Sequence, residues 1–233
     1  MKLKSIIFLL SVFGFLSSCM VTNNLYVNDP TPMIKGKGKA YVGLGTGLKP
    51  KIDSISADKK INFSNKIEAA PILSFGGQIG LGEHMNVRIA GHLPGFIGGF
   101  GLRAGTQYGF FDRTSKFNAA IGVDLGFVTA RDSIRIFGNQ TAVSVESKLA
   151  YNADFFIPIS YKFNKDFMLI LTPRYSYTNI EIKKYTTRAY STNLKVYSPI
   201  VSLGMRYRHL YLETSVVHYD NRFYPNFGIA GIF

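Results

Sequence analysis

The sequence predicts an all-β fold: a closed, antiparallel, up-and-down transmembrane β-barrel of about ten strands, with eight as the alternative. Three observations point there. Polarity alternates with a period of two over segments of ten residues or so, which is the pattern of strands and not of helices. The connections between those segments alternate between short polar turns and longer stretches, as barrels with turns at one end and loops at the other require. Beyond the N-terminal leader, no stretch approaches the roughly 18 consecutive apolar residues of a membrane helix.

The chain opens with "MKLKSIIFLLSVFGFLSSC". Lys2 and Lys4 precede an apolar run from Ile6 to Phe15 and then small residues, the layout of a secretory signal, which is excluded from the fold. "LSSC", Leu16 to Cys19, resembles the lipobox of bacterial lipoproteins. That resemblance implies cleavage before Cys19, lipidation of its thiol, and residues 1–18 as signal peptide. The bland alternative is an ordinary signal with a chance cysteine at its cleavage site. Cys19 is the chain's only cysteine, so no internal disulfide competes for it. Residues 19–37, with Pro30 and Pro32, read as a polar N-terminal tether beginning on the periplasmic side, and residues 38–233 as the barrel.

Loss of residues 1–18 leaves 25 basic against 14 acidic residues, a formal +11. In an exported chain this balance favours an anionic membrane surface over nucleic acid.

Ten strands follow, at approximately 38–48, 67–81, 85–94, 96–111, 117–130, 147–163, 167–178, 194–207, 210–219 and 224–233. In the third, Met85, Val87, Ile89, Gly91 and Leu93 share one face, opposite Asn86, Arg88, Ala90 and His92. In the fifth, Phe117, Ala119, Ile121, Val123, Leu125 and Phe127 oppose Asn118, Gly122, Asp124 and Gly126. The sixth and eighth repeat the pattern, and the apolar faces tend to end in Tyr or Phe, as an aromatic girdle would. A soluble lipocalin-like barrel would turn the same apolar faces inward. Strand length and the full charges in mid-strand on the polar faces favour apolar faces turned outward, toward lipid. The short polar turns 82–84, 112–116, 164–166 and 208–210 all fall at one end, and long stretches near 49–66, 131–146 and 179–193 at the other.

The last residues, "NFGIAGIF", alternate and stop on Phe233, and with Phe227 and Ile229 on one face they resemble the C-terminal signal read by the bacterial barrel-assembly machinery. With this ending, the chain resembles small bacterial outer-membrane β-barrels of the OmpA/OmpX-like kind. The resemblance implies an outer-membrane location, closure of the last strand against the first, and dealings with barrel-assembly and lipoprotein-processing machinery. A lipobox departs from that pattern, because such barrels usually carry a plain signal peptide.

The inward polar positions include Arg88, Arg103, Asp124, Asp154, Arg174, Arg206 and Glu213. Their expected role is an ion-paired plug, with a narrow polar pore as the alternative. Hydrolases on such barrels need a His beside a Ser or a carboxylate. His92 and His218 fall on strands far apart in the ring, so no enzyme is expected, apart from a residual reading of a hydrolase at the rim. "GLGTG" (43–47) and "GGFGLRAG" (98–105) are not phosphate loops, because strands and not helices continue through them. No cofactor or metal is expected. The basic loop residues, Lys49, Lys51, Lys59, Lys60, Lys66, Arg131, Arg135, Lys148, Lys183, Lys184, Arg188 and Lys195, point to phosphates of lipopolysaccharide, or else to plain solvated loops. "DSI" occurs at 53–55 and at 132–134 and resembles a bacterial O-glycosylation sequon. The expected function is structural or interactive: envelope stabilisation, adhesion, or a subunit of an envelope complex. The alternatives are a narrow pore for small solutes and a periplasmic lipid-anchored soluble barrel with a hydrophobic ligand.

Overall fold

A computed structural model describes residues 25, 27–49, 52–55, 61–63, 68–94, 99–138, 141–185, 190–219 and 221–233. Cys19 and the leader lie outside the described residues, as do most of the basic loop side chains. No helix occurs among the described residues; thirteen strands do.

They are β1 (Gly38–Lys49), β2 (Ile52–Ile55), β3 (Ile61–Phe63), β4 (Glu68–Gly80), β5 (Met85–Pro94), β6 (Gly99–Gly109), β7 (Phe117–Gly138), β8 (Thr141–Phe156), β9 (Ile159–Lys162), β10 (Phe167–Tyr185), β11 (Tyr190–Tyr207), β12 (Leu210–Tyr219) and β13 (Arg222–Ile232). β2 and β3 form a separate small hairpin within the first long stretch. The others pair antiparallel around a closed ring, in which β1 bonds to both β4 and β13, and β10 to both β8 and β11.

β8 and β9 are one wall strand. Pro158 interrupts it because proline has no N–H for the ladder. The neighbours bridge the gap: the Ala120 N–H donates to the Pro158 carbonyl at 3.0 Å, and the Ile157 N–H to the Pro173 carbonyl at 3.0 Å. The wall therefore has ten strands and not eight. Closure leaves no free edge, and this is the condition for a sheet to survive in lipid.

The stretches near 131–146 and 179–193, expected as loops, are mostly strand. β7 and β8 stay paired out to Gly138 opposite Thr141, and β10 and β11 out to Lys184 opposite Tyr190. Alternating β-branched residues in "DSIRIF" and "TAVSVES" suit a pleated ladder, so the hairpins continue past the rim. Register shifts between Thr129 and Asp132 and between Ile180 and Ile182 mark where that extension begins.

Inward and outward faces follow the alternation. In β12 Tyr211, Glu213, Ser215 and Val217 are buried, while Leu210, Thr214 and Val216 are exposed. Among the described residues, the outward positions between the two rims carry no Asp, Glu, Lys or Arg. They carry Val42, Leu44, Phe75, Ile79, Ile89, Leu125, Val201 and Leu203, all well exposed.

Aromatic residues bound this apolar band at both ends. On four wall strands the bounding pairs, Phe117 and Phe127, Tyr151 and Tyr161, Phe167 and Tyr177, Tyr197 and Tyr207, are each ten residues apart. The register places Phe117 opposite Tyr161, Phe127 opposite Tyr151, Phe167 opposite Tyr207 and Tyr177 opposite Tyr197. Ten residues at ~3.4 Å each, tilted by ~40°, span about 26 Å, the height of the apolar band of an outer-membrane barrel.

Candidate functional site

The candidate site is the lumen at the short-turn end, and its main occupant comes from outside the wall. Leu25 and Val27–Met33 lie inside the barrel. Leu25, Val27, Asn28 and Asp29 are almost fully buried. Leu25 packs against the glycines Gly43, Gly45 and Gly228, where any side chain would meet it. With Val27 it joins an inward apolar cluster containing Tyr41, Met168, Ile170, Tyr211 and Ile232. From there the chain descends to the short-turn rim, where Lys35 bridges to Gly80. It then reverses over Ile34–Lys37, the Lys37 N–H donating to the Ile34 carbonyl at 2.9 Å, and enters β1. Gly36 supplies the φ of +75° that this turn needs at its third residue. The stretch that reads as a polar linker is, over these residues, a luminal plug.

Polar side chains of the wall grip it. The Asp29 carboxylate accepts from Lys39 Nζ at 2.7 Å and Arg206 Nη1 at 2.6 Å through one oxygen, and from the Thr31 N–H at 2.9 Å through the other. Gln107 Nε2 donates to the Asp29 carbonyl at 2.9 Å. Arg88 Nη1 donates to Asn28 Oδ1 at 3.0 Å, and Asn86 Oδ1 accepts the Met33 N–H at 3.1 Å. Burial on its own would raise the Asp29 carboxyl, but Lys39 and Arg206 more than offset it and hold it well below the usual carboxylate range.

Around and beyond the plug, wall charges pair with one another over an intervening strand. Arg88 Nε lies 3.3 Å from Asp124 Oδ2, and its guanidinium stacks 4.5 Å from the Phe156 ring centre. Arg103 forms a buried ion pair with Asp154. Tyr211 donates to Glu213 at 2.8 Å, and Arg174 interacts electrostatically with Glu213. All seven polar residues read from the sequence thus face inward, and six of them sit in pairs with one another. Arg206 is the exception, because its partner is Asp29.

The histidines are dispersed. His92 is buried on β5 with its ring over the wall at Gly101, and His84 lies beside the Tyr108 ring at the short-turn end. His209 bonds the Ile232 carbonyl at 3.0 Å, and His218 stacks near Phe223 at the other rim. β5 and β12, which carry His92 and His218, are separated by β4, β1 and β13. Phe227, Ile229 and Phe233 all point outward, and Phe233, 76% exposed, ends at the short-turn rim with both backbone groups bonded to Ala40.

No protein-family model matches this chain, and no curated protein does. Among solved structures, the chain is similar to the toluene transporter TodX of Pseudomonas putida. Identity is 10% over 93% of this chain and 74% of that one, with a TM-score of 0.35. A likeness at that level leaves cargo and function open.

Proposed function

We propose that the chain is an outer-membrane β-barrel lipoprotein of a Gram-negative envelope, with the short-turn end in the periplasm and a structural or interaction role. The observation that carries this reading is the outward band: free of formal charge among the described residues, about 26 Å tall, and bounded by aromatics in register on adjacent strands. The lumen supports a closed body over a wide channel, since ion pairs fill its middle and the N-terminal segment its short-turn end. The chemistry assigned is interaction and not catalysis. Barrel-assembly machinery acts on the Phe233 end, lipoprotein-processing enzymes act on Cys19, and lipopolysaccharide phosphates meet the basic loops.

Gel mobility of the outer-membrane fraction in SDS, boiled against unboiled, tests the barrel in lipid. A closed membrane barrel stays folded until boiled, so two positions are expected. A single position, together with release of Cys19→Ala into the soluble periplasm, would refute the reading and favour a lipid-anchored soluble barrel.

A narrow pore is the second reading, and one observation favours it: the stopper is a separate stretch of chain, held by polar contacts and one apolar cluster, and not part of the wall.

A further inference from the structure

The short-turn mouth of the lumen is built for an anion, and the chain fills it with its own. Lys39 on β1 and Arg206 on β11 converge on a single carboxylate oxygen of Asp29. Lys162 on β9 faces the same space. It lies across one ladder from Met168, which lies across the next from Arg206, and its Nζ donates to the Arg113 carbonyl at 2.8 Å. Two cations from two wall strands therefore hold one carboxylate, and a third, bonded to the Arg113 carbonyl, stands at the same mouth. Asp124 and Asp154 are paired with Arg88 and Arg103 and do not contact these cations.

Asp29 is almost wholly buried although it belongs to a segment outside the wall. A carboxylate is removed from water at such a site only when matched charge receives it. The cations belong to the barrel, so the site persists if the segment leaves. Two donors on one oxygen, from an ammonium and a guanidinium, suit the oxygens of a carboxylate or a phosphate equally well.

We propose that the periplasmic mouth holds an anion-binding site for carboxylates and phosphates, for which Asp29 is the built-in competitor, and that displacing the Val27–Met33 segment opens an anion-selective passage. This rests on the narrow-pore reading of a membrane barrel. The selectivity comes from Lys39, Arg206 and Lys162 at the constriction. Inorganic phosphate should hold the vacated site and block the same passage.

The test compares full-length protein with Asp29→Asn in planar bilayers under a KCl gradient, adding inorganic phosphate at the short-turn side. Asp29→Asn keeps the shape of the side chain and removes the charge that holds it. The wild type should stay mostly closed. D29N should open with a reversal potential of anion sign and a chloride-over-potassium preference on the order of tenfold, the effect of one unpaired cation near an ion's path. Phosphate should close it, and adding Lys39→Gln with Arg206→Gln should abolish both preference and block. Gln107→Ala, which loosens the segment without changing charge, should raise open time with the same selectivity and guards against misfolding of D29N. Cation-selective or unselective openings, or D29N and Q107A as silent as the wild type, would overturn the proposal. Gel mobility of the same samples separates the causes: a boiling shift with silent channels refutes the anion passage alone, whereas no shift refutes the membrane barrel beneath it.

Discussion

At the residue scale, the interior is a problem in charge accounting. The seven inward charged residues named from the sequence are four arginines and three acids. A further acid is Asp29, which sequence order hides in a proline-bearing linker. Alternation identified Arg103 and Asp154 as inward, but which inward residues meet depends on strand register, a non-local property that no spacing encodes. Both side chains are almost fully buried, so losing one partner leaves a charge stranded. Asp154→Ala should cost about 3–5 kcal/mol. Arg103→Met with Asp154→Leu should recover most of that loss. Urea unfolding in lipid vesicles checks both; a double variant no better than the single would show that the pair holds more than its own charges.

At the element scale, the strands were legible because the period of two persists through turn after turn, and because a polar turn is a local signal. Met85–Pro94 and Leu210–Tyr219 match their expected bounds to the residue. The extension of β7, β8, β10 and β11 beyond the rim was not legible, since the pattern there loses the inside-outside contrast that the membrane imposes. What remains is β-propensity, a weaker indicator. The plug was invisible for a related reason. Leu25 and Val27 are only two apolar residues, and the burial of Leu25 depends on Gly43, Gly45 and Gly228, which meet it from two different strands. The outward band yields its own prediction at Val123, about midway between Phe117 and Phe127 and facing out. Val123→Arg should cost about 2–4 kcal/mol of folding free energy in lipid vesicles, as for a cation near the bilayer midplane. On a water-facing surface the same change would stay within roughly 0.5 kcal/mol. Vesicle folding titrations distinguish the two, and a near-zero cost would place this face in water.

At the scale of the whole molecule, wall and plug respond to different conditions. The wall is held mainly by closed ladders and an apolar band, neither of which titrates, with buried ion pairs in addition. The plug is held in large part by one carboxylate between cations. Because the Asp29 carboxyl is held below its ordinary value of 3.8, its stabilising contribution is present in full above that value and is lost as pH falls from there toward the folded value. The expected outcome is a mouth that stays shut throughout the neutral and mildly acid range and loosens only below the ordinary carboxylate range. Hydrogen exchange of the Val27–Met33 amides, followed from pH 7 downward after correction for intrinsic rates, reads this directly. Protection should hold to about pH 4 and then fall, while the amides of β1 and β13 stay protected. In D29N the segment should already exchange quickly at pH 7 and show no acid step. Loss of protection between pH 7 and 5 in the wild type would mean that another titrating group, and not Asp29, holds the segment in the barrel.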